Sequence, residues 1–250
     1  NFCLNILIML LIIIGGIGFL TWDDVYTNKR RFKRYRMQSK IILLTTAILI
    51  FVPAIFFFVC DFGQVSIGKR TLLSLFQSVT TRTAGFNTAD LSSMTEAGQA
   101  IMILLMLIGG SPSSTAGGMK TTTAAALLLN AFATFRSRED AGAFGRRFDG
   151  QVIKNAATIA MLYFVLFFFG GITISVYEGL SLQLCLYEAA SAVGTVGLTL
   201  GITPGLHILS RLILIVLMYL GRVGGLTLIY AVLSRRNMNA KMPLEKITVG

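Results

Sequence analysis

Two four-residue segments hold the residue types most able to do chemistry in this chain: Thr83-Ala84-Gly85-Phe86 and Thr195-Val196-Gly197-Leu198. A dehydrated monovalent cation must trade water for other oxygens, and main-chain carbonyls supply them without a fixed charge. Aiming successive carbonyls at one axis takes some residues out of ordinary backbone geometry, and glycine allows this without a Cβ penalty. The Thr-x-Gly-apolar pattern therefore predicts two strands of a selectivity filter, with a monovalent cation held at their carbonyls. A helix-capping glycine in an outer loop would explain one such tetrad. Two of them, with Gly85 and Gly197 separated by 112 positions, favour the filter.

Irregular backbone at membrane depth must be buried or line water, so long apolar helices are needed around it. The 250 residues are 54% hydrophobic and 13% charged. A soluble domain would carry about 25% charged residues. Spans are predicted over 2–22, 41–60, 96–135, 152–177 and 206–233. The segment 41–60 has no charge and would be about 30 Å long as a helix, one hydrocarbon thickness. Pro53 predicts a kink in it. Residues 71–81 and 181–193 are apolar but too short to cross. They read as pore helices whose partially negative carbonyl ends favour a cation at the tetrads. Arg82 and Glu188 flank the tetrads. Arg82 either braces the first strand through nearby carbonyls or is an outer-surface charge.

The net charge is +11, and sixteen of the 22 Lys and Arg fall in three clusters, Lys29–Lys40, Arg136–Lys154 and Arg235–Lys246. Apolar segments separate the clusters. This is the pattern of cytoplasmic loops between spans, not the basic face of a nucleic-acid-binding module. A lipid bilayer is the expected partner and nucleic acid is not. The outer loops would carry Lys69, Arg70, Arg82 and Arg211. Cys3, Cys60 and Cys185 lie far apart without C-x-x-C spacing and read as small buried hydrophobes. No enzyme is expected. His207 is the one histidine, which leaves little for a hydrolase built on Ser111 or Ser114. Gly110–Lys120 is not a nucleotide P-loop, since Met119 stands where glycine must precede the lysine. No covalently bound cofactor is expected. The chain opens at Asn1 inside an apolar run without a signal-peptide start, so residue 1 is expected to lie within a longer protein.

Three broken span centres resemble one another: Gly15-Gly16-Ile17-Gly18, Gly117-Gly118-Met119-Lys120-Thr121, and Gly221-Arg222-Val223-Gly224-Gly225. Gly18, Gly118 and Gly225 are taken as counterparts. The repeat unit becomes span, pore helix, filter strand, span. The expected divisions are 1–22, the last helix of a preceding repeat; 23–40, a cytoplasmic basic loop; 41–135, a pore repeat; 136–151, a cytoplasmic loop; 152–234, a further pore repeat; and 235–250, a cytoplasmic tail. A secondary transporter with broken helices binding a small solute at mid-membrane is the alternative, but the apolar spans carry almost no Asp or Glu for coupling.

At these residues the chain resembles the Trk/Ktr/HKT potassium-uptake family. Ser78-Val79-Thr80-Thr81-Arg82-Thr83-Ala84-Gly85-Phe86-Asn87-Thr88 is similar to that family's third filter, and Ser191-Ala192-Val193-Gly194-Thr195-Val196-Gly197-Leu198 to its fourth. Gly109-Gly110-Ser111-Pro112-Ser113-Ser114-Thr115-Ala116-Gly117-Gly118 resembles the broken third-repeat helix, and Tyr219–Thr227 the final helix. The resemblance covers essentially the whole chain and is strongest to the Ktr-type membrane subunit. It implies an all-α transmembrane, potassium-channel-like fold holding repeats three and four, with repeats one and two upstream. It implies a pore-forming potassium-uptake subunit of the cell membrane with K⁺, or alternatively Na⁺, as substrate at the filter carbonyls. It further implies a gate formed by the loop Gly109 to Gly118, and a cavity arginine at Arg222 that meets the loop or cavity water. A cytoplasmic nucleotide-binding regulatory subunit and a homodimer are implied as well. Close helix packing through small residues is the other reading of the loop. Arg222 is expected to be buried at mid-membrane. Lys120 either acts beside Arg222 or snorkels to the interface.

Overall fold

The computed structural model describes residues 2–29, 31–138 and 140–224. The chain starts with α1 (Phe2–Ile17) and α2 (Phe19–Asn28). The span expected over 2–22 is not straight: the two helices meet at 93°. Gly18 makes the corner with φ 90° and ψ 143°, a backbone region closed to residues with a Cβ.

The long helix α3 (Met37–Cys60) runs unbroken through Pro53. Proline has no N–H to give to the carbonyl four residues earlier, here that of Leu49. Ser78 fills the gap: its Oγ donates to Ile50 O at 2.7 Å and lies 3.1 Å from Leu49 O. A sequence defect in one helix thus becomes the docking point of the next. That next helix is α4 (Ile67–Thr80), which starts four residues before the expected pore helix.

The third apolar stretch is two helices, α5 (Glu96–Leu107) and α6 (Thr121–Phe135), separated by non-helical backbone. A two-stranded hairpin follows, β1 (Gly142–Ala143) and β2 (Arg146–Arg147), in the loop expected over 136–151. Its two turn residues, Phe144 and Gly145, have φ of 53° and 76°, the sign that a tight hairpin turn of matching twist needs. Then come α7 (Gly150–Glu178), α8 (Leu182–Val193) and α9 (Ile208–Val223). Gly170 and Gly171 of α7 lie where a Cβ would meet Leu217 and Leu186, so α9 and α8 approach the α7 backbone closely.

Among the described residues, α3 and α7 are long and apolar enough to cross a membrane, as is the bent pair α1–α2 if it is one span. The shorter α4 and α8 are packed inside: Phe76, Gln77, Val79, Tyr187, Ala189 and Val193 are fully buried. The outer surface is apolar instead. Phe51, Val52, Ile55 and Val59 of α3, and Leu212, Ile215, Val216 and Tyr219 of α9, are exposed. Such continuous apolar faces are stable against lipid and not against water. Cys185 is buried as expected, whereas Cys3 and Cys60 lie on exposed surface.

Candidate ion pathway

The α4 and α8 helices end at Thr80 and Val193, directly before the two tetrads. The structure brings the tetrads together. A Cβ placed on Gly85 would lie 2.2 Å from Val196 O and 3.3 Å from the Cα of Gly197. Both tetrads have the same alternation of backbone sign. Thr83 and Gly85 have φ of 60° and 72°, and Thr195 and Gly197 have φ of 53° and 92°, whereas Ala84 and Val196 between them do not have positive φ. Alternating the sign of φ turns successive carbonyls toward a common side, which continuous helix or strand does not. For a β-branched threonine this geometry is strained and persists only where the surroundings enforce it.

Hydrogen bonds supply that enforcement. Ala84 N and Gly85 N both donate to Thr80 O, at 3.2 and 3.3 Å, and Thr80 Oγ1 donates to Phe86 O at 2.6 Å. In the other tetrad Val196 N donates to Ser191 O at 2.8 Å, and Gly197 N donates to Ser191 Oγ at 3.1 Å. Just beyond, Leu198 is buried and Phe86 is exposed. Glu188 is buried and gathers the following segment. Its carboxylate accepts from Thr199 Oγ1 at 2.5 Å, Leu200 N at 3.1 Å and Thr203 Oγ1 at 2.8 Å.

Arg82 takes neither of its expected roles. It is 3% exposed, and its Nη2 donates to Thr46 Oγ1 at 3.3 Å. The guanidinium lies next to Gly16, within van der Waals reach of a Cβ built there.

The loop 109–118 lies directly against the second tetrad. It is irregular backbone, so it is not a site of close packing between continuous helices. Its base is fastened by Gly109 N to Met119 O at 2.8 Å, Thr121 N to Gly110 O at 3.0 Å and Gly118 N to Gly221 O at 3.3 Å. A Cβ on Gly109 would fall 2.0 Å from Gly117 O, and one on Gly110 2.5 Å from the Ala116 Cβ, so the loop folds tightly on itself. One side docks on the α1–α2 corner: Ser111 N donates to Gly16 O at 2.9 Å and Phe19 N to Ser113 O at 3.0 Å. Pro112 O occupies the space of a Gly18 Cβ. Ser111 Oγ accepts from Thr121 Oγ1 at 3.1 Å, and Ser114 Oγ lies 3.4 Å from Ala116 N. Lys120 Nζ donates to Ala116 O at 2.7 Å. From the other side Arg222 Nη1 donates to Thr115 O at 2.8 Å. Arg222 is exposed and not buried as expected.

The repeat is visible in the backbone, one position away from the sequence register. Gly18 (φ 90°, ψ 143°) follows α1, and Gly224 (φ 87°, ψ 139°) follows α9. These two are the counterparts. Gly225, which the sequence register pairs with Gly18, and the expected tail 235–250 lie outside the described residues.

The fold and the paired irregular segments define a multi-pass protein of the cell membrane with short helices enclosed by longer ones. Residues 1–241 match the TrkH family, described as a cation transport protein, and the chain belongs to that family. It is 36% identical to the potassium/sodium uptake protein NtpJ of Enterococcus hirae, over 100% of this chain and 58% of that protein. It is 34% identical to the Ktr system potassium uptake protein B of Bacillus subtilis, over 98% of this chain and 56% of that protein. The crystal structure of the potassium transporter TrkH from Vibrio parahaemolyticus shares the fold, with a TM-score of 0.75 at 18% identity over 94% of this chain and 53% of that one. The chain thus spans little more than half the length of these proteins.

Proposed function

We propose that this chain carries two of the pore repeats of a potassium-uptake subunit, moving K⁺, with Na⁺ as the competing ion, through a carbonyl-lined filter. The observation that carries the reading is the meeting of Gly85 with Val196 and Gly197, two segments of identical φ alternation at the ends of two enclosed helices. Carbonyls of the Thr83–Phe86 and Thr195–Leu198 strands replace the ion's water. The carbonyl ends of α4 and α8 add negative partial charge. The names of the relatives, potassium/sodium uptake and Ktr potassium uptake, support this substrate class.

In this reading the loop Gly109–Gly118 is the gate. Small side chains leave the passage open to a displaced backbone, and the loop rests against the Thr195 strand. Lys120 and Arg222 hold its carbonyls and place positive charge near the ion's route. The basic clusters face the cytoplasm, by the distribution of Lys and Arg. A cytoplasmic nucleotide-binding regulatory subunit and a homodimeric assembly complete the system.

The test uses the full-length protein in potassium-uptake-deficient cells. Gly197 has φ of 92° with open space around an added Cβ, so Gly197→Ser strains the strand without a clash. Uptake should lose its preference for K⁺ over Na⁺ while the protein still reaches the membrane. Unaltered selectivity would remove Gly197 from the filter.

A further inference from the structure

The end of α6 and the hairpin after it enclose a cavity of about 370 Å³ outside the ion pathway. Four arginines line it: Arg136, Arg138, Arg146 and Arg147. Leu129 and Phe132, on the last turns of α6, form its apolar side. Asp140 also lines it and pairs with Arg147 at 3.2 Å. Among the described residues that is the sole ion pair, so Arg136, Arg138 and Arg146 have no carboxylate partner among those residues. Like charges crowded in this way repel one another unless an anion sits between them.

The site is held in place from both sides. The carbonyls of Phe132, Ala133 and Thr134 at the α6 terminus are taken up by the N–H groups of Arg136, Ser137 and Arg138, which blunts the negative end of the helix. The hairpin turn is anchored on the loop before α3. Phe144 packs edge-on to Phe32 at 6.5 Å, and Lys40 Nζ lies 5.6 Å from the Phe144 ring and 5.7 Å from that of Phe32. Beside the cavity, Leu128, Phe132 and Phe135 are 60%, 59% and 83% exposed. They give α6, a short apolar helix, an apolar face that ends at the charged cavity, the arrangement of a helix end where hydrocarbon meets the aqueous layer.

We propose that this cavity binds the phosphate headgroup of an anionic phospholipid. The guanidinium groups take the phosphate oxygens in forked hydrogen bonds, and an acyl chain lies along Leu129 and Phe132. A bound phospholipid would join α6, which continues from the loop 109–118, to the hairpin and the α2–α3 connection. Basic pockets at helix ends on a membrane face take acidic headgroups in this way.

The experiment is native mass spectrometry of the full-length protein after detergent exchange, with phosphatidylglycerol or phosphatidylcholine added back. Phosphatidylglycerol should be retained in preference. Arg138→Gln and Arg146→Gln should each weaken its retention about five-fold. Asp140→Asn removes the opposing charge and should strengthen it by a similar factor, a gain that misfolding does not produce. Phe132→Ser should weaken phosphatidylglycerol, and excess inorganic phosphate should not displace it. Equal retention of the two lipids, or no response to either arginine substitution, would overturn the proposal. So would complete displacement by inorganic phosphate, which marks a site for a free anion. Binding of phosphatidylglycerol that is abolished by a cytoplasmic protein seated on the arginines would assign the surface to that protein instead.

Discussion

The hydroxyl of Thr195 occupies the space that any side chain at Gly117 would need: a Cβ built there lies 2.1 Å from Thr195 Oγ1. The loop backbone at Gly117 therefore packs directly on the Thr195 side chain of the second tetrad. Neither can move far without the other. Gly117→Ala must push the two apart, and overpacking of this kind costs about 1–3 kcal/mol. The expected outcome is a lower melting temperature together with altered ion flux, measured as rubidium uptake into vesicles holding the full-length protein. A wild-type flux and melting temperature would show that the contact is slack.

The same contact makes a second prediction, of opposite sign. Thr195 Oγ1 is buried and has no hydrogen-bond partner among the described residues. Leaving a polar atom in that state costs about 1–3 kcal/mol. Thr195→Val keeps the shape and removes the atom. Folding stability should stay level or rise, read as the thermal midpoint in detergent. A large fall would mean that the hydroxyl has a partner supplied by the rest of the full-length protein.

Glu188 is the support that the sequence placed beside the second tetrad without showing its task. Three donors from 199–203 converge on its carboxylate. A glutamine there can accept through one oxygen only, and its amide group faces donors. Hydrogen bonds to a charged group contribute about 1.5–3 kcal/mol each. Glu188→Gln should loosen the segment after Leu198 and reduce discrimination between K⁺ and Na⁺. Hydrogen exchange at Leu200 and Gly201 should speed up. Protection equal to wild type would relieve Glu188 of this role.

Much of this arrangement was legible in the residues, for physical reasons. Thr-x-Gly-apolar after a short apolar helix marks a backbone that leaves helical geometry, and both tetrads do so. The glycine-rich break at 109–118 likewise follows from composition. Other features have no local signal. The glycines at 15, 16 and 18 mark a break in the first span but not its right angle, which is held by Pro112 and Ser113 from a distant loop. Positive φ at Thr83 and Thr195 runs against the preference of a β-branched residue and is imposed by the ends of α4 and α8. The burial of Arg82 depends on distant parts of the chain, with Gly16 beside it and Thr46 accepting from its Nη2. The hairpin at 142–147 carries one cue, Gly145 at its turn, masked by the charge of the surrounding cluster. A pairing of Gly18 with Gly225 misses by one because Gly224 and Gly225 are indistinguishable as letters.

Asp24 ties the basic loop back to α2. Asn28 Nδ2 donates to its Oδ1 at 2.7 Å, and Arg36 N donates to its Oδ2 at 2.8 Å. Burial works to raise its pKa, but hydrogen bonds from Ser39, Arg36 and Asn28 and the charge of Arg36 outweigh it, so the carboxyl is held below its ordinary value of 3.8. A depressed pKa contributes stability that is present above the unfolded value and lost as pH falls through the folded one. The tie should therefore be unchanged from neutral pH down to that ordinary value and fail below it. Asp24→Asn should expose Arg31, Lys33 and Arg34 to trypsin several-fold faster at neutral pH. Equal cleavage rates would show that the loop is held elsewhere.

Arg222 and the loop can be separated by a cycle of two changes. The guanidinium reaches Thr115 O at 2.8 Å across 107 positions of sequence. If Arg222 acts by holding the loop, Arg222→Gln and deletion of Ser111–Ala116 should each raise flux, and the two together should raise it no further than the deletion alone. If instead its charge repels the ion directly, the substitution should raise flux by the same factor with or without the loop. Residues that share one contact are non-additive and residues that act independently are additive. The geometry favours the first outcome, since the carbonyl of Thr115 lies within hydrogen-bond reach and takes up part of the guanidinium's charge. Additive flux in the double variant would detach Arg222 from the loop.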